Sequence, residues 1–133
     1  MIKNRITSEN IVKLQDDEIF VFGSNEGGRH GAGAAKLALK WGAIYGQANG
    51  LQGKTYAIPT MNKSISKPLD LLKIKVYVDQ FIDFAQENTR YQFLVTEIGC
   101  GLAGLKIKDI APLFKRAQFV ENISLPQRFW RKL

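Results

Sequence analysis

The residues of this chain best placed to do chemistry are glycines. Gly27, Gly28, Gly31 and Gly33 follow closely on Asn25, and Gly99, Gly101 and Gly104 follow Ile98. Glycine lets the backbone approach a ligand closely and present its NH groups, so such a corner suits an anion, and two corners suit a diphosphate clasped from opposite sides. Few reactive side chains stand near them. His30 is the only histidine, set in the loop before Gly31 rather than on an apolar face. An imidazole of ordinary pKa about 6.5 there could protonate a leaving group or touch a phosphate; the alternative is a solvated residue or helix cap. Asn25 could contact a ligand or turn its own backbone, and Arg29 could pair with a phosphate or with water. Loop NH groups could lower the Cys100 thiol pKa, but a Cys-His nucleophile would need His30 to reach it, and the other reading is a small packing residue. One Cys and one His cannot make a structural zinc site, so no metal and no cofactor are expected.

Strands must carry these corners. Ile19-Phe20-Val21-Phe22 is apolar and β-prone and runs into Gly23-Ser24-Asn25, while Gln92 to Ile98 reads as a second buried strand running into Gly99 to Gly104. From Ala34 the good helix formers and apolar spacing predict a helix whose first turn adds NH donors and dipole to the first corner. Thr55 to Thr60 predicts a short strand that stops at Pro59 or lies at an edge, and its end at Thr60 is a third candidate site loop. Gly42 to Lys54 reads as an irregular connection. Ser66 is expected to cap a helix with Pro68 in its first turn, running to about Glu87 with Leu71, Ile74, Val78, Phe81 and Ala85 on the core face. Asp109 is expected to cap a helix over Ile110 to Ala117. Arg5-Ile6-Thr7 is a short edge strand, Asn122 to Leu125 a last strand, and Pro126 to Leu133 a terminal basic turn whose Phe129 and Trp130 either pack in the core or stack on a base. Alternating β and α elements predict an α/β fold with a parallel or mixed sheet covered on both faces.

Two phosphate motifs fail. Gly99-Cys100-Gly101-Leu102-Ala103-Gly104 matches G-x-G-x-x-G, but too little chain follows for the remaining strands of a dinucleotide domain. Gly53-Lys54-Thr55 imitates a P-loop end, yet Ala48 stands where the first glycine belongs and an extended run follows. The chain of 133 residues is 45% hydrophobic and 23% charged, as expected of one globular domain spanning 1–133. Nineteen Lys and Arg against 12 Asp and Glu, a net charge of +7, favour an anionic partner, nucleic acid included. A single Cys fits a reducing compartment. Met1-Ile2-Lys3-Asn4-Arg5 leads into no apolar run and no stretch approaches a membrane span, so a cytoplasmic monomer away from membranes is expected.

A strand ending near Asn25, His30-Gly31-Ala32-Gly33-Ala34-Ala35 entering a helix, the Ile58-Pro59-Thr60 strand end, and Ile98-Gly99-Cys100-Gly101-Leu102-Ala103-Gly104-Leu105 together resemble the macrodomain, an ADP-ribose-binding family. The likeness spans about Ile19 to Leu125 and is nearest the branch of the terminal ADP-ribose protein glycohydrolase and the DNA ADP-ribosyl glycohydrolase antitoxins. It implies a three-layer α/β/α fold with a mixed central sheet that binds ADP-ribose or an ADP-ribosylated macromolecule. The implied activity is hydrolysis at the distal ribose, by an ADP-ribosyl or ADP-ribose phosphate hydrolase, or reading without turnover. By that pattern Asn25, beside Ser24, contacts the distal ribose, Gly31 to Ala34 line the diphosphate and that ribose, and Gly99 to Gly104 close over the phosphates, with Asn25 and His30 aiding any catalysis. The chain departs from the branch at Met61, where a lysine belongs, at Ala103, where part of the branch has an aspartate, and at Asn10-Ile11-Val12, which lacks the adenine-contacting aspartate. Binding survives these losses better than catalysis.

Overall fold

The computed structural model describes residues 4–133, so the reading of the opening residues falls partly, at Met1–Lys3, outside them. Its frame is a six-stranded mixed sheet in the order β1-β6-β5-β2-β4-β3. The strands are β1 (Ile6–Thr7), β2 (Glu18–Asn25), β3 (Gly50–Gln52), β4 (Thr55–Met61), β5 (Gln92–Val95) and β6 (Ile123–Pro126). All pairings are parallel except β3 with β4. Strand β2 is apolar on both sides, as a buried parallel strand must be. Ile19 and Val21 enter one core, and Phe20 and Phe22 enter the other.

The larger core is closed by α2 (Leu71–Glu87), a 3₁₀ helix (Ala111–Phe119) and α4 (Gln127–Trp130). The smaller lies under α1 (Gly33–Leu39) and Ala43, with Trp41 packed against it. On α2 the expected stripe is buried at Ile74, Val78, Phe81 and Ala85, joined by Ile82, whereas Leu71, the first helical residue, is exposed. Ser66 is not the cap. Asp70 is, accepting from the Lys73 NH at 2.9 Å. Leu69 NH still donates to Thr60 O and Pro68 bridges Met61, so the chain stays extended past the proline.

The helix expected from Ile110 with an Asp109 cap is instead split. Asp109 sits inside the four-residue α3 (Ile107–Ile110), and the chain then tightens to 3₁₀ geometry. Pro112 has no NH to return to the carbonyl four residues back, which ends the α-helical ladder. In the span read as irregular, Gly50–Gln52 forms β3 and a hairpin with β4. Strand β4 does not stop at Pro59, which pairs with Ser24 beyond Ala57, the last residue of β4 paired with β3. Phe129 is fully buried in the larger core, and Trp130 donates from Nε1 to Arg5 O at 2.9 Å. Both rings pack in or against the larger core, and neither lines either of the two clefts described below. Among the described residues no helix is long and apolar enough to cross a membrane.

Candidate functional site

Both neighbours of β2 in the sheet run parallel to it, so the chain leaves β2, β4 and β5 at the same end. Ligands of open α/β sheets bind at that end. Here the exits bound a cleft of about 660 Å³. Its floor includes Ser24, Asn25 and Thr60, and Arg29, Gly31, Ala32, Gly33 and Ala34 line it from the first loop. Gly99, Gly101, Leu102 and Ala103 line it from the second. The two loops nearly touch, since a Cβ on Gly33 would stand 3.3 Å from the Leu102 side chain. Three expected site residues, His30, Cys100 and Gly104, do not line the cleft.

Among the described residues, the backbone NH groups of Gly31, Ala32, Gly33, Gly101, Leu102 and Ala103 have no intramolecular acceptor. All six belong to the lining. Uncommitted backbone donors gathered at one concavity are what an anion needs. The helix contribution is smaller than expected, because α1 has only seven residues and no side-chain cap, so the loops must supply the donors.

Asn25 acts on its own loop. Its Oδ1 accepts from Arg29 NH at 2.9 Å and its Nδ2 donates to Arg29 O at 3.0 Å, an Asx clamp that shapes the first loop. Each amide atom has capacity for one further hydrogen bond, and Asn25 belongs to the cleft lining. The register of β2 against β4 slips here, Ser24 facing Pro59 and Asn25 facing Met61, which leaves Thr60 as the extra residue of a bulge. Thr60 Oγ1 donates to Ser24 O at 3.3 Å, and Ser24 Oγ donates to Ala48 O at 2.5 Å, tying the floor to the following loop. The Arg29 side chain is exposed at the rim.

His30 stands elsewhere than its loop position led one to expect. The ring is fully buried, edge-on to Phe22 at 5.2 Å and 6.4 Å from Tyr45. Its Nε2 lies 3.0 Å from Gln47 O, and because a carbonyl only accepts, Nε2 is the donor. The imidazole therefore braces the first loop from below and does not face the cleft. Cys100 is likewise a packing residue. Burial, and then Glu97, push its thiol up to about 11 against a smaller opposing effect of Arg128, so loop NH groups do not activate it. Native protein at pH 8 should react with iodoacetamide at least about tenfold more slowly than urea-unfolded protein, read by intact mass. Equal rates would show an accessible thiol of ordinary pKa.

A second cleft of about 880 Å³ adjoins the first, sharing Ala34, Thr96 and Glu97. Phe20, Ile11 and Leu37 form apolar wall, and Thr7, Asn10 and Arg128 add polar groups. The Thr7 hydroxyl is buried and, among the described residues, has no hydrogen-bond partner. Sequence reasoning missed this cleft, along with Glu97, Tyr45 and Ile65 in the first. Glu97 had a usable signal, being the acidic residue next to the second glycine run; Tyr45 and Ile65 had none. Among the described residues no group of three or more His, Cys, Asp or Glu is arranged to hold a metal ion. No protein-family model matches the chain, and no curated protein matches it.

Proposed function

We propose that this protein binds ADP-ribose, free or attached to a macromolecule, across the two joined clefts of a macrodomain-like α/β/α sandwich. The observation that carries this reading is the convergence of two glycine-rich loops, distant in sequence, on one cleft lined by six residues with uncommitted NH groups. The diphosphate lies between Gly31–Gly33 and Gly101–Ala103, the distal ribose toward Asn25 and Thr60, and the base in the adjoining cleft against Phe20 and Ile11. A mononucleotide would leave one cleft empty.

Binding without turnover is the form the lining favours. Met61 and Ala103 are apolar where the branch's lysine and aspartate would act, and His30 is turned into the core. General acid or base chemistry needs a titratable group free to act at the reacting bond, and Glu97, the acidic residue of this lining, has both oxygens engaged by Arg128. The test is calorimetric titration with ADP-ribose, followed by chromatography after incubation with ADP-ribosylated DNA, ADP-ribosylated protein and ADP-ribose 1″-phosphate. Saturable one-to-one binding and no product support the reading. Released ADP-ribose would make the protein a hydrolase. Salt-sensitive binding to single-stranded nucleic acid that ADP-ribose does not displace, with no heat from ADP-ribose, would overturn it.

A further inference from the structure

Glu97 is, among the described residues, the only acidic side chain lining the first cleft, and it also lines the second. A carboxylate at that junction opposes any anion laid across it. Both its oxygens accept from one guanidinium, Arg128 Nε to Oε2 at 2.7 Å and Nη2 to Oε1 at 2.5 Å. This fork pairing is directional, but the Arg128 side chain is 59% exposed, so it adds little to stability. Nor is Arg128 needed to hold α4 in place, because Phe129 is fully buried beside it and Trp130 is bonded to Arg5 O. Both charges are felt in the second loop: after burial, Glu97 raises and Arg128 lowers the Cys100 pKa.

Resting on the ADP-ribose reading, we infer that Arg128 is a positioning residue that acts on the ligand through Glu97, cancelling the carboxylate that would otherwise repel a diphosphate held in the first cleft while the ligand reaches past Glu97 into the second. The ligand need not touch Arg128 for this to work. Titration of ADP-ribose into wild-type protein, Arg128→Gln, Glu97→Gln and the double variant, at low and at physiological ionic strength, separates the cases. Arg128→Gln should bind about tenfold more weakly at low salt, with the gap narrowing as salt screens the bare carboxylate. Glu97→Gln should bind as tightly as wild type or more tightly, and the double variant should return to within about threefold of wild type, because Glu97→Gln removes the carboxylate that Arg128 pairs and leaves only Glu9 of the second cleft, whose effect on Arg128 is the smaller. A double variant as weak as Arg128→Gln would overturn the inference, since Arg128 would then contact the ligand or hold the site's shape. Wild-type binding with Arg128→Gln unchanged would overturn it alone, whereas no binding by the wild type would overturn the ADP-ribose reading beneath it.

Discussion

Gly101→Glu is expected to weaken ADP-ribose binding by about a hundredfold or more while moving Tm by less than about 2 °C. The substitution fits the backbone, because a Cβ at Gly101 meets nothing within 4 Å and the residue is not in the left-handed region. Its carboxylate would enter the lining between Gly99 and Leu102, beside the NH donors assigned to the phosphates. A single charge pair a few ångströms apart near a protein surface is worth on the order of 1–4 kcal/mol, and a hundredfold corresponds to about 2.7 kcal/mol. Calorimetry and thermal denaturation of the same sample check both halves. Unaltered affinity would remove the second loop from the phosphate site.

Gly28→Ala should act on stability instead, costing about 3–5 kcal/mol and lowering Tm by roughly 10 °C or more. Gly28 has φ +66°, which disfavours any side chain, and an added Cβ would stand 2.4 Å from the carbonyl carbon of Gly46. The two segments cannot simply part, because Gly46 NH donates to Gly28 O at 2.7 Å. The same contact seats His30 over Gln47, so ligand affinity should fall with stability. Circular dichroism melting decides it. A Tm within about 3 °C of wild type would show that the two backbones are not so close in solution.

The loops were readable because each corner announces itself locally, as an apolar run followed by glycines. That they meet follows from parallel pairing on both sides of β2, which brings Asn25, Thr60 and Gly99 to one end of the sheet. His30 was misplaced because its surroundings, Phe22, Tyr45 and the Gln47 carbonyl, depend on how the 28–30 and 44–49 segments fold onto each other. Position within a glycine-rich loop says nothing about which way an imidazole turns. The second cleft was invisible for a related reason: its walls are the 6–11 segment, which carries no glycine run or hydrophobic period to mark it, and single residues or short pieces of β2, α1, the chain after β5, and the 126–128 segment. Helix starts were misread at both prolines, for different reasons. At Pro68 the chain keeps extended pairing, whereas Pro112 does stand in a first turn, but of a 3₁₀ helix that continues directly from α3.

Strand β1 has two residues, too few for a ladder to hold it, and a side chain does that work. The Arg5 guanidinium donates to the carbonyls of Ala117, Gln118, Val120 and Ile123 at 2.6–3.0 Å and lies over the Trp130 ring at 5.1 Å. Those acceptors come from the end of the 3₁₀ helix, the turn after it and the start of β6, so docking of β1 is expected to follow their assembly. Arg5→Ala should therefore speed unfolding and leave the refolding rate nearly unchanged in stopped-flow measurements, and a slowed refolding limb would put β1 in the nucleus. Because Ile6 and Thr7 wall the second cleft, the pocket assigned to the base would be the last part of the molecule to take shape and the first to be lost.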